Sequence, residues 1–437
     1  NEGVNHPTLM YNAPMNSREV DDLPLAQPLT PREQDILNGI GDELSNRQIA
    51  ERLTLSPGTV KWYVRQVYNK LGVNSRAEAI ARAQRLGLLA VEGQEGEIRH
   101  NLPVAATPFI GRKEELDTLA GLIANPQVRI ITITGPGGIG KTRLALEAAG
   151  REIHPQPLFP NGVCFVSLAP LETAAEIVST LATVLDFQFQ GSGNETEQLL
   201  NYLRQKQMLL VMDNFENILD GRSLLAEIGR HAAGIKLLVT SRERLQLRGE
   251  QLFPLQGLEM VKSEDSAAEA PAAQFFINIA RRTVPDFELL EGDAEQLQRI
   301  CRLVAGMPLG LELAASWVGL LPLCDIAAEI EQSLELLTSQ HHDVPRRHRS
   351  MQAALDVSWR RLTSEQKLAF RELTVFRGGF TRPAALQVAR ATLPLLVTLV
   401  NKSWLSYDRQ SDRYLIHELL RQYGAGKLSA DPAHKEE

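Results

Sequence analysis

Cysteine is scarce in this chain. The three present among 437 residues, Cys164, Cys301 and Cys324, lie far apart and lack metal-ligand spacing. That excludes a zinc ribbon or a disulfide scaffold, and the expectation is buried, reduced thiols in a cytoplasmic protein. Long apolar runs are also missing. None approaches the ~20 residues of a membrane span, and no secretory leader is visible, so no membrane partner is expected. An excess of positive charge is absent too. The net charge is −7, so any nucleic-acid binding must come from a local basic surface. His341, His342 and His348 cluster without paired cysteine or carboxylate spacing, which reads as a solvated linker rather than a metal site. The chain opens at Asn1 and not at methionine, as expected of a fragment.

What is there is a mixture of α and α/β segments. The length suits about three domains. Residues 1–27 read as a flexible lead-in, 28–92 as a compact helical bundle and 93–107 as a polar linker. Residues 108–256 alternate strand-like and helical runs, the mark of βαβ units on a parallel sheet. Candidate strands are Val128–Thr134, Val163–Leu168, Met208–Met212 and Lys236–Thr240. Residues 257–344 read as helical. Residues 345–437 read as helices followed by a hairpin, with strands Asn401–Tyr407 and Arg413–Ile416.

The most specific run is Gly135-Pro136-Gly137-Gly138-Ile139-Gly140-Lys141-Thr142. It fits G-x-x-x-x-G-K-[ST], preceded by an apolar run and followed by a helical one, Arg143 to Ala149. In that context glycines let backbone N–H groups turn inward around phosphate oxygens. The helix start adds partial positive charge, Lys141 can bridge β- and γ-phosphates, and the Thr142 hydroxyl can ligate Mg²⁺. A nucleoside triphosphate, ATP or ADP with Mg²⁺, is the expected cofactor. Met208–Met212 ends in Asp213, a second Mg²⁺ candidate. Asn214 follows where many fast ATPases carry a carboxylate, and Glu216 lies two residues beyond. This predicts slow hydrolysis or a base supplied from elsewhere. The strand ending Thr240-Ser241 is followed by Arg242, either a sensor of the γ-phosphate or a surface arginine.

The bundle carries clear helix punctuation. Thr30-Pro31-Arg32-Glu33 and Ser45-Asn46-Arg47-Gln48 are capping boxes, and Ser56-Pro57 and Ser75-Arg76-Ala77-Glu78 start two further helices. In the third helix Val60, Val64, Val67 and Leu71 form one apolar stripe. The other face offers Lys61, Trp62, Arg65, Gln66, Asn69 and Lys70. Residues 28–89 hold nine Lys or Arg against six Asp or Glu, about +3 in an acidic chain. Charge alone leaves DNA binding and a solvated protein-interaction face equally open.

Leu29-Thr30-Pro31-Arg32-Glu33, Ser45-Asn46-Arg47-Gln48-Ile49-Ala50, Thr59-Val60-Lys61 and Lys70-Leu71-Gly72-Val73 resemble the LuxR-type helix–turn–helix family. The resemblance implies a support helix Ser45–Leu53, a recognition helix Pro57–Leu71, and double-stranded DNA as partner. Lys61, Trp62 and Arg65 would read base edges, and Thr59 and Lys70 would contact phosphates. Tyr63 stands where that family often has histidine. Trp62 could instead make a dimer or intramolecular contact. Dimers would form through the last helix, Ser75 to about Leu86.

A second set of runs resembles the STAND signalling ATPases of the NB-ARC or AP-ATPase type. It comprises Phe109 through Leu116, Gly306 through Ala314, Arg346 through Ser358-Trp359, and Leu373 through Phe380. The resemblance implies three modules: a nucleotide-binding α/β domain, a helical domain and a winged helix. Arg112 and Pro308 would flank the adenine. His417, in Ile416-His417-Glu418, would contact the β-phosphate of ADP, with Glu418 replacing the usual aspartate. It implies an ADP-bound closed state and an ATP-bound state that self-associates. An inducer would be sensed by a C-terminal region or a partner. Enzymatic activity would be at most slow ATP hydrolysis. The rival readings are a turnover P-loop ATPase or kinase, and an NLR-like scaffold whose bundle binds protein.

Overall fold

The computed structural model describes residues 29–42, 44–85, 88–89, 99–105, 107–153, 158–191, 193–260, 269–338 and 349–429. The lead-in 1–27, most of the linker before Arg99 and the cluster of His341, His342 and His348 lie outside them. The chain divides into two compact units, Asn1–Glu97 and Ile98–Glu437.

Among the described residues the first unit holds four helices: α1 Pro31–Gly41, α2 Asn46–Leu53, α3 Pro57–Leu71 and α4 Arg76–Arg85. Thr30 and Ser45 each accept from the amide three residues on, and Glu33 and Gln48 return the bond, so both capping boxes form. Ser56 caps α3, and Gly72 ends it in the left-handed region at φ +62°, a conformation glycine adopts without a Cβ penalty. Val60, Val67 and Leu71 are buried, with Val64 half-buried beside them. They pack on Ile36, Leu37, Ile40 and Ile49.

The second unit opens with α5 Lys113–Ala124, β1 Ile130–Thr134, α6 Lys141–Arg151, β2 Val163–Ser167, α7 Ala175–Val184, α8 Glu195–Leu203, β3 Met208–Asp213, α9 Arg222–His231, β4 Ile235–Ser241 and β5 Glu250–Pro254. The sheet order is β2-β3-β4-β1-β5, with all pairs parallel. The four strands anticipated from apolar runs are present within a residue or two. The fifth was missed because Glu250-Gln251-Leu252-Phe253-Pro254 lies at an edge and buries only Phe253, so no apolar run marks it. β4 stands between β1 and β3, which places Thr240 to Arg242 between the glycine-rich turn and Asp213.

Four helices follow: α10 Pro271–Thr283, α11 Asp293–Leu303, α12 Pro308–Ala315 and α13 Leu323–Gln332. A C-terminal module comprises α14 Met351–Trp359, α15 Ser364–Leu373, α16 Arg382–Ala389, α17 Leu393–Asn401, β6 Ser406–Asp408, β7 Arg413–Leu415 and α18 Glu418–Ser429. The hairpin is shorter than anticipated: Asn401 closes α17, and antiparallel pairing begins only at Ser406. An aromatic cluster of Trp359, Phe370, Trp404 and Tyr423 fills this module. Cys164 and Cys301 are buried, but Cys324 is exposed, correcting the expectation of three buried thiols. It sits in the first turn of α13, whose inner face is made by Leu323, Ile326, Ala327 and Ile330. Among the described residues no single helix is long and apolar enough to cross a membrane.

Candidate nucleotide site and DNA-binding face

The glycine-rich turn joins β1 to α6, as strand–turn–helix spacing requires. Two of its glycines are fixed by close approach. A Cβ on Gly137 would fall 2.9 Å from the Arg242 guanidinium. One on Gly138, at φ +84°, would fall 2.8 Å from Leu309 Cβ. The Leu309 amide donates to the Gly138 carbonyl at 3.2 Å, so the start of α12 is tied to the turn. Lys141 is buried, and its Nζ donates to the Gly135 and Pro136 carbonyls at 2.8 and 3.0 Å. Burial lowers its pKa to about 8, against the pull of Glu216 and Asp213.

Asp213 is the hub beside it. Thr142 Oγ1 and Thr240 Oγ1 each donate to Asp213 Oδ1 at 2.6 Å. Burial raises the Asp213 pKa while the two threonines oppose the shift. A hydroxyl and a carboxylate oxygen in contact at the glycine-rich turn fit the hard-oxygen donor set of Mg²⁺. When bound, that ion would neutralise charge on the phosphates.

A cavity of about 310 Å³ opens at the turn, within the size range of small-molecule sites. Gly137, Gly138, Gly140, Lys141, Thr142 and Arg143 form one wall, and Pro308, Leu309 and Glu312 of α12 another. Phe109, Arg112, Leu258 and Phe275 provide a largely apolar end. Arg112 has left-handed backbone, and its buried guanidinium donates to the Ile139 and Gln256 carbonyls, both at 2.9 Å. Arg143 donates to the Thr107 carbonyl at 2.6 Å and lies over the Phe109 ring. Of the anticipated nucleotide and metal residues, Gly135, Ile139, Asp213, Glu216 and His417 are not on the cavity wall. Ile139 is instead a core side chain. Leu258, Phe275, Leu309 and Glu312 were missed. Leu309 and Glu312 lie inside the quoted Gly306–Ala314 run, whereas the apolar Leu258 and Phe275 carried no signal.

Arg242 is not a surface arginine, because it is 8% exposed. Its Nε pairs with Glu216 Oε1 at 3.0 Å. Its Nη1 reaches the C-terminal module, donating to the Ala354 carbonyl at 2.9 Å and bonding Ser358 Oγ. Glu216 is equally buried, and its Oε2 has no hydrogen-bond partner among the described residues. His417 Nδ1 accepts from the Leu419 amide at 3.3 Å, and Nε2 is buried without a well-formed hydrogen bond. Burial, acting against Glu418 and the nearby Ala305 backbone, lowers its pKa to about 4.

In the first unit, Lys61, Trp62 and Arg65 are exposed on one face of α3, with Trp62 56% exposed and edge-on to Tyr63. Thr59 Oγ1 lies 2.8 Å from Ser56 Oγ at the helix start. Lys70 is placed differently. Its Nζ pairs with the buried Glu33 at 2.7 Å, and only 18% of its side chain is exposed. Arg76 is also turned inward, donating to the Ile40 and Leu44 carbonyls at 2.9 and 2.8 Å. The local charge excess therefore overstates what is free to meet a phosphate.

Residues 27–83 match the family described as bacterial regulatory proteins, luxR family, and residues 112–247 match the NB-ARC domain. The chain joins a LuxR-type helix–turn–helix domain to an NB-ARC domain. A protein of Mycobacterium tuberculosis (strain ATCC 25618 / H37Rv), named as a putative HTH-type transcriptional regulator, is 30% identical over 313 residues. That match covers 69% of this chain and 34% of the relative, so the chain spans about a third of that protein's length. An uncharacterized protein of the same strain is 27% identical over 343 residues, covering 76% of this chain and 84% of its own. The HTH-type transcriptional regulator MalT of Klebsiella pneumoniae is 42% identical over 72 residues, 16% of this chain and 8% of that one. The NB-ARC match spans the turn, Asp213 and Arg242, and the LuxR match spans α1 to most of α4.

Proposed function

We propose that this protein is a transcription regulator whose NB-ARC domain binds ATP or ADP with Mg²⁺ and so governs DNA binding by the LuxR-type domain. The observation that carries this reading is the composition of the cavity wall. The phosphate-binding turn and α12 line one cavity, while Arg242, also on its wall, reaches the C-terminal module. A ligand seated there touches elements from separate modules, so it can favour one arrangement of them over another.

In this reading Gly135 to Thr142 hold the phosphates, and Thr142 and Asp213 hold Mg²⁺. Arg112, Arg143 and Pro308 border the base, and Arg242 responds to the γ-phosphate. The C-terminal module acts as the winged helix and closes over ADP, with His417 as the β-phosphate contact of that closed arrangement. ATP favours an open arrangement that self-associates on DNA. Glu216 is the base candidate for slow hydrolysis, since Asn214 occupies the position after Asp213. Lys61, Trp62 and Arg65 face base edges, with Thr59 at the phosphates.

The test is to denature the purified protein, identify released nucleotide by chromatography and measure the solution mass. Monomer carrying stoichiometric ADP supports the switch. Protein loaded with ATP, or fast steady-state turnover, points to the turnover ATPase instead.

A further inference from the structure

Arg361, just beyond α14, makes a contact that none of the motifs anticipates. Its Nη1 donates to the Glu216 carbonyl at 2.6 Å, and its Nη2 bonds Asn217 Oδ1. Both partners belong to the 3₁₀ turn Phe215–Asn217, which follows Asp213 and is launched by Asn214 at φ +60°. The Arg361 carbonyl in turn accepts from Lys402 Nζ at 2.8 Å, and Lys402 also reaches Gln366 Oε1 at 3.2 Å. Ser403 Oγ donates to the Arg242 carbonyl at 2.8 Å, and the Arg244 amide donates to the Asn401 carbonyl at 3.2 Å. The C-terminal module thus grips two neighbouring loops at the carboxyl ends of interior strands, one after β3 and one after β4.

We infer that Arg361 is a positioning residue: an interdomain clamp that holds the Asn214–Asn217 turn, and with it the Glu216 carboxylate, in its buried pairing with Arg242. The physical case rests on three facts. The guanidinium spans a main-chain and a side-chain acceptor on consecutive residues, so it fixes the turn's orientation as well as its position. Glu216 Oε1 is occupied by Arg242 Nε, and Oε2 is buried without a hydrogen-bond partner among the described residues. A buried carboxylate oxygen in that condition is held by its surroundings and not by its own bonds. The holding contact comes from the C-terminal module, so movement of that module releases the turn and the carboxylate together. The consequence for nucleotide retention rests on the proposed nucleotide switch, whereas the clamp itself does not.

The test is hydrogen–deuterium exchange on the full chain, for wild type, Arg361→Ala, Arg361→Lys and Asn217→Ala, without nucleotide. Arg361→Ala should speed exchange of the amides at 214–219 about tenfold or more, while β1 and β3 stay protected. Asn217→Ala removes one of the two bonds and should give a smaller rise, even if Arg361→Ala fails to fold. Unchanged exchange at 214–219 in folded Arg361→Ala or in Asn217→Ala overturns the clamp. Release of a fluorescent ADP analogue from the same proteins tests the consequence. Faster release from the variants supports coupling, and equal release overturns it. Wild type that binds no analogue sinks the nucleotide reading while the exchange result still judges the clamp.

Discussion

The Leu309 amide donates to the Gly138 carbonyl across 3.2 Å, joining the first turn of α12 to the glycine-rich turn. This bond makes the cavity a property of two modules. It also explains why position 138 must be glycine, since the backbone is left-handed there and a Cβ would press on Leu309.

Gly138→Ala should therefore cost about 2 kcal/mol of stability, from left-handed strain and the clash together. It should also weaken nucleotide binding. Thermal unfolding with and without ADP checks both, and an unchanged melting curve would contradict the tight approach.

Lys141→Ala should abolish nucleotide binding, because the phosphates lose the cation at the centre of the turn. The fold should persist, as the bonds of Lys141 among the described residues go to two carbonyls of its own loop. Titration calorimetry with ATP and ADP measures the loss. Wild-type affinity in this variant would remove the site assignment.

His417 gives a pH dependence of definite sign. Its folded pKa, about 4, lies below the ordinary histidine value of 6.5. The unfolded chain therefore binds the proton first as pH falls. The contribution to stability is complete above pH 6.5 and is lost between pH 6.5 and about 4, to a limit of about 3 kcal/mol. The stability gap between wild type and His417→Asn should shrink across that window in denaturant titrations. A gap independent of pH would mean that His417 is not held neutral by burial.

On the DNA-binding domain, two lysines that look alike in the sequence should behave differently. Lys61→Ala should leave the melting temperature unchanged and weaken DNA binding about tenfold, with a shallower salt dependence. Lys70→Ala should cost about 2 kcal/mol of stability, because it takes the cation from the buried Glu33 carboxylate and leaves it the Thr30 amide. Melting curves and gel shifts on both variants separate the roles. Normal stability in Lys70→Ala would show that the ion pair is dispensable.

Local chemistry settled much of this protein in advance. Capping residues at Thr30, Ser45 and Ser56 set where three helices begin, because helix starts are decided by the nearest side chains. The spacing from Gly135 to Thr142 marked the strand–turn–helix junction between β1 and α6, and four buried strands declared themselves as apolar runs. What stayed hidden depended on contacts between distant residues. β5 is an edge strand whose pattern carries no apolar run. Lys70 sits on the same helix as Lys61 and Arg65, and only packing against α1 turns it inward to Glu33. Arg242 read equally well as a sensor or a surface arginine until β4 was placed between β1 and β3. Arg361 had no local signal at all, since its partners at 216 and 217 lie far away in sequence. Periodicity, caps and turn geometry are encoded over a few residues and can be read there. Which charge is buried, and against what, is decided only when separate elements meet and solvent is excluded between them.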